Sequence, residues 1–114
     1  MSESIVVEPS GRIVADDVRW ARTLKERSKG LFAYPPLEPG QALVIEPGTQ
    51  VHTFRMSYPI DVVFCDKSWV VKHVVTAMAP NRMTRFVLGA RRVIELPAGA
   101  VARDVSPGTQ LRIK

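Results

Sequence analysis

Four side chains able to take part in chemistry fall in one short stretch: His52, Thr53, Arg55 and Asp61. Asp61 stands at the head of a nearly continuous apolar run, residues 60–65, IDVVFC. A lone carboxylate buried in such a run costs several kcal/mol. It must therefore be paired, be hydrogen-bonded to backbone amides, or be protonated, and His52, Thr53, Arg55 and Arg27 are the partners to look for. One reading makes Asp61 structural, capping a turn after Pro59 and fixing the start of a strand. The other makes it a ligand-binding or acid–base group.

The remaining reactive side chains point to less. There are two histidines and no His-x-x-x-His spacing, so no metal site is expected. His73 lies within a strand pattern and reads as a solvent-face residue. Cys65, the single cysteine, closes the apolar run and reads as a packed thiol rather than a nucleophile. Arg27 and Lys29 beside Gly30 suit the capping of helix-end carbonyls better than an anion site, because a helix C-terminus repels anions. No glycine-rich phosphate loop, nucleophile elbow or interleaved aromatic–basic platform occurs. No cofactor is expected.

The elements that must hold these residues are short. Residues 4–7, 12–15 and 18–21 read as strands, with a turn at Pro9-Ser10-Gly11. Thr23 and Glu26 have the capping-box spacing, which starts a helix over 24–29 that ends at Gly30. A longer helix over 17–29 competes with the third strand. Three prolines make 34–40 a surface loop. Strands follow at 42–46, 51–56, 60–65, 69–77, 93–96 and 111–113. A hairpin sits at 66–68, an irregular or briefly helical stretch follows Pro80-Asn81-Arg82, and Pro97 ends its strand. Many short strands with one or two helices imply a β-rich α+β single domain over 1–114, either a strongly bent sheet or a small, partly open barrel.

Composition narrows the class. At 114 residues, 46% apolar and 24% charged, the chain can fold on one core without disulfides or a structural metal. No basic leader or long apolar run is present, so a cytoplasmic location is expected, with no membrane association. The net charge is +5, and eleven of the sixteen cations are arginine. They are scattered, the tightest groups being Arg82 with Arg85 and Arg91 with Arg92. An anionic small molecule or an acidic protein fits that balance; nucleic acid is more weakly supported.

Four pieces in order resemble domain-of-unknown-function family 192 of bacteria and archaea: 26–32 (ERSKGLF), 52–64 (HTFRMSYPIDVVF), 80–82 (PNR) and 95–99 (ELPAG), followed by Gly108. The similarity spans about 21–113. The family pattern has Met where Phe32 stands, and Trp or Gly where Arg55 stands. The resemblance implies a compact β-rich α+β fold and no established activity. It nominates Arg27, Gly30, His52, Thr53, Met56, Pro59, Asp61, Glu95, Pro97 and Gly99. Of these, Gly30 and Gly99 are expected as backbone requirements, and Pro59 and Pro97 as fixing turns or strand ends.

Three functions compete. The first is a binding module whose cleft, lined by His52, Thr53, Arg55, Asp61, Arg27 and Arg82, takes a small polar or anionic ligand. The second is an interaction protein using an Arg82, Arg85, Arg91 and Arg92 face. The third, an enzyme with Asp61 and His52 as acid and base, has the least support.

Overall fold

An apolar run without polar alternation needs cover on both faces. The computed structural model, which describes residues 3–29, 36–54 and 56–114, supplies that cover. In chain order the elements are β1 (Ile5–Glu8), β2 (Ile13–Ala15), β3 (Asp17–Ala21), α1 (Leu24–Lys29), β4 (Gln41–Ile45), β5 (Ile60–Cys65), β6 (Val71–Met78), β7 (Arg92–Pro97) and β8 (Gln110–Ile113). They form two sheets, a three-stranded β2-β1-β8 and a five-stranded β3-β4-β7-β5-β6. No barrel closes, because β3 and β6 end the larger sheet without pairing to each other. The structure thus has two sheets in place of the strongly bent sheet or small, partly open barrel expected from the sequence.

Among the strand pairs of the described residues, only β3–β4 is parallel. Parallel neighbours need a long crossover, and residues 22–40, carrying α1, provide it. The capping box forms as its spacing predicts: Glu26 N–H donates to Thr23 Oγ1 at 3.0 Å, and Glu26 Oε1 accepts from the amides of Thr23 at 3.0 Å and Arg22 at 3.1 Å. The competing helix over 17–29 does not form, since 17–21 is β3. Gly30, Phe32 and the loop's first residues, up to 35, lie outside the described residues, as does Arg55.

Residue alternation along β5 and β7 sorts the core into two layers. Val63, Cys65, Ile94 and Leu96 pack with Ile5, Val7 and Leu111 of the smaller sheet. Val62, Phe64 and Val93 face the other way, against Leu37, Val51, Val87 and Ala90 from the loops. Strand β5 is buried along its whole length, as the apolar run requires. Cys65 is the packed thiol expected, and burial pushes it up to about 12, with Asp66 adding to the shift and Arg92 opposing it.

Two sequence expectations change. The strand expected over residues 51–56 does not appear among its described residues, 51–54 and 56; they make one bridge, His52 to Met83. Thr53 is the cause. Its buried hydroxyl donates to the Ala79 carbonyl at 2.7 Å and accepts from the Arg82 amide at 2.9 Å. Its backbone N–H donates to the Arg82 carbonyl at 2.8 Å. These bonds draw the segment onto the 79–84 loop instead of a sheet edge. His73 is half-buried rather than on a solvent face, because its ring lies 5.8 Å from that of Phe64 across the β5–β6 pair.

Asp61 meets its burial in the second of the ways its position allows. Its Oδ1 accepts from the Ala77 amide at 2.7 Å, and its Oδ2 accepts from the amides of Gly99 and Val101, both at 3.0 Å. The carboxylate thus binds the end of β6 to the turn that follows β7. Both ends carry backbone that needs holding, with φ of 48° at Ala77 and 95° at Gly99. Replacing Asp61 by Asn turns one acceptor into a donor facing N–H groups. Asp61→Asn should lower unfolding free energy by roughly 3 kcal/mol, read as a fall in the urea midpoint at unchanged m-value.

Candidate functional site

Where β4 ends, Glu46 gathers the elements that enclose a cavity. It accepts from Arg22 Nε at 2.9 Å and, on its other oxygen, from Arg92 Nε. Arg92, first and most strongly, and then Arg22 hold this carboxyl below its ordinary range against the opposing effect of burial. Arg22 immediately precedes the capping box, so this contact fixes the start of α1 against the end of β4. The helix is only six residues long, too short to be stable without such anchoring.

The cavity between α1, the end of β4, the 47–56 loop and β7 has a volume of about 360 Å³. Leu24, Ile45, Val51, Phe54 and Met56 give it an apolar lining, and Arg27, His52 and Glu95 its ionisable groups. Val51 is seated by its own amide, which donates to Thr84 Oγ1 at 3.0 Å. The His52 and Phe54 rings stack with centroids 4.9 Å apart, and the Phe54 amide donates to His52 Nδ1 at 3.3 Å. That contact leaves Nε2 as the imidazole's donor position.

Glu95 is the unusual member. It is 3% exposed on β7, between apolar cross-strand neighbours, Leu43 on β4 and Val62 on β5. Among the described residues it has no hydrogen-bond or ion-pair partner, and burial pushes its carboxyl up to about 8. At neutral pH most Glu95 side chains therefore carry their proton. The Tyr58 hydroxyl nearby is also buried without a hydrogen-bond partner among the described residues. Burial first, then Glu95, raises its pKa. The Leu37 backbone lies near enough to oppose that rise without meeting hydrogen-bond geometry. Arg27 is in a similar position: its Nε is buried with no acceptor among the described residues.

The residues nominated from sequence thus divide. Arg27, His52, Met56 and Glu95 line one cavity. Thr53 adjoins it but spends its hydroxyl on the 79–82 backbone. Asp61 points to the opposite face of the sheet from Glu95, since it pairs with Leu96 whereas Glu95 pairs with Val62. Its oxygens accept from backbone amides and from no histidine nitrogen. Arg82 lines a second, open concavity of about 470 Å³ with His73 and Arg85. Pro59 is exposed just before β5, and Pro97 is the last residue of β7. Among the described residues no group of three His, Cys, Asp or Glu side chains could hold a metal ion. No helix of the described residues is long and apolar enough to cross a membrane.

Glu95 is nominated only through the family resemblance, and Tyr58 and Phe54 are not nominated at all. A signal for Glu95 was available: a carboxylate in the apolar strand pattern VIEL, with the same burial problem as Asp61.

A family model for DUF192, described as an uncharacterized ACR, matches residues 5–113. Among curated proteins there is no significant match. Two solved structures are similar. A protein of unknown function from Novosphingobium aromaticivorans has a TM-score of 0.80 at 19% identity, with 98% of this chain and 84% of that one covered. A putative transcription regulator from Sinorhizobium meliloti has a TM-score of 0.79 at 23% identity, with 99% and 94% covered. At these identities the likeness shows a shared fold.

The pH response of Glu95 follows from its burial. An unfolded glutamate loses its proton near ~4.3, while the folded chain keeps it up to about pH 8. The folded state therefore binds the extra proton in that window. The stability from this group is fully present below the unfolded value, declines as pH rises, and is gone above the folded value. Unfolding free energy of the wild type should fall by a few kcal/mol between about pH 5 and 9. Glu95→Gln should remove that part of the slope in urea titrations across the same range.

Proposed function

The chain belongs to the DUF192 family, and on that footing we propose that it is a binding module taking a small polar or anionic ligand in the cavity of Arg27, His52 and Glu95. The observation that supports this is one apolar-lined cavity that also holds the buried Arg27 Nε and the buried Glu95 carboxyl, neither of which has a partner among the described residues. Proteins bury few unsatisfied polar atoms, because each costs about 1–3 kcal/mol. Their presence in a cavity of small-molecule size is what a ligand site requires. Arg27 supplies charge and donors, the apolar wall supplies area, and the His52–Phe54 stack frames the exposed side.

An acid–base reading built on His52 and Asp61 lacks a shared site, since Asp61 is committed to three amides on the other face of the sheet. The reading is tested by thermal shift with carboxylic acids, phosphates, nucleotides and amino acids. A ligand that binds the folded state raises its stability by about 2.7 kcal/mol at a hundredfold excess over Kd. At least one class should shift the wild type and leave Arg27→Gln, or a cavity-filling Met56→Trp, unmoved. Silence across the whole panel would sink it.

A second reading, an interaction surface, draws on Arg82 and Arg85 beside the exposed side chains of Met83, Phe86 and Leu88. Arg92 does not join them as a free cation. It is engaged by Glu46, donates to the Lys67 carbonyl at 2.7 Å and lies 4.4 Å over Trp69. Such a surface should retain a polyanion such as heparin, with affinity that drops steeply as salt rises and is lost in the Arg82→Gln, Arg85→Gln double variant. Retention unchanged by salt or by those substitutions would rule it out.

A further inference from the structure

Arg27 and Glu95 line the same cavity and do not pair with each other. This is the feature that says most about the occupant. Arg27 is half-buried with its Nε fully covered, and a covered guanidinium nitrogen beside a buried carboxyl ordinarily pairs with it. Here the Arg27 Nε has no acceptor among the described residues, and Glu95 stands among apolar side chains. A ligand with both charges can satisfy both, presenting its anion to one and its cation to the other. We infer that the occupant is a small zwitterion of the amino-acid class, with its carboxylate on Arg27, its ammonium on Glu95, and an apolar side chain against Leu24, Ile45, Val51 and Met56. The inference rests on the ligand-site reading above and goes beyond it by assigning the ligand's charges.

The surroundings of Glu95 support the cationic end. Leu43 and Val62 flank it in the sheet, and the titratable groups around it are the Tyr58 phenol from the loop before β5, His52 across the cavity and Arg27 on α1. None of these forms an ion pair with it. Burial keeps this carboxyl protonated up to about pH 8. An arriving ammonium forms its ion pair only with the ionised carboxylate, so binding at neutral pH must expel that proton to solvent. The balance is one ligand bound as the zwitterion and, below that pKa, up to one proton released.

A simple anion would behave in the opposite way. It would sit on Arg27 and accept a hydrogen bond from the protonated Glu95, and raising the pH would place a second negative charge beside it. The sign of the pH dependence therefore separates the two ligands.

The test is calorimetry on the full chain with glycine, L-leucine, L-methionine and 4-aminobutanoate, and with two leucine mimics: 4-methylpentanoate, which lacks the ammonium, and isopentylamine, which lacks the carboxylate. Runs at about pH 7 in two buffers of different ionisation enthalpy count the protons. A zwitterion should bind at least tenfold more tightly than either mimic and release close to one proton. Its affinity should rise roughly tenfold per pH unit from about pH 6 and level off near pH 8. Glu95→Gln, with its fold checked by circular dichroism, should lose both the proton release and the pH slope.

If 4-methylpentanoate binds as well as leucine, with affinity falling as pH rises, the zwitterion is wrong and the anion-binding module stands. The same holds if carboxylates or phosphates bind and none of the zwitterions does. If no compound of either kind binds, both readings fail together.

Discussion

The three backbone amides on Asp61 hold the working end of the larger sheet together. Strand β5 is covered on both faces, so the carboxylate at its head has no water to meet it, and the chain folds its own N–H groups around it. Ala77 comes from the end of β6, and Gly99 and Val101 come from beyond β7. Charge-assisted bonds of this kind are stronger than neutral ones. They also fix where β5, β6 and β7 stop relative to one another, and with that the register that sets Glu95 between Leu43 and Val62.

Glu95 faces the same physics with the opposite outcome. It too is a carboxyl in the doubly covered sheet, but on the layer that loops rather than the smaller sheet enclose. Among the described residues no amide donates to it and no cation pairs with it, and burial lets it keep its proton up to about pH 8. The contrast between the two acids is the central fact of the molecule. One is satisfied and structural, whereas the other is unsatisfied and lies where a cavity opens.

The cavity's walls depend on local devices that carry little energy individually. The capping box starts α1, Glu46 ties Arg22 and Arg92 to the end of β4, and Thr53 draws the 51–54 segment onto the 79–84 loop. Each of these sits beside the space rather than in it. Together they bring Arg27 from a short helix and His52 from a loop to the same opening as a sheet residue. Binding sites built from loops on a rigid sheet commonly have this division of labour.

The sequence by itself determined the local features. The doubly buried strand at 60–65, the capping box at Thr23 and Glu26, the turn at 66–68 and the packed Cys65 all follow from short-range patterns of apolar residues, caps and turn formers. It also narrowed Asp61 to three fates. Only the tertiary structure decided among them, because the amides that reach Asp61 lie 16 to 40 residues away along the chain. The same holds for the separation into two sheets, which depends on β1 pairing with β8 from the other end of the chain. It holds again for residues 51–56, where long-range bonds of one threonine outweighed a plausible strand alternation. Glu95 is the sharpest case. Its burial was readable from its strand pattern, but whether a partner awaited it was a question of what stands across a cavity. No spacing along the chain encodes that.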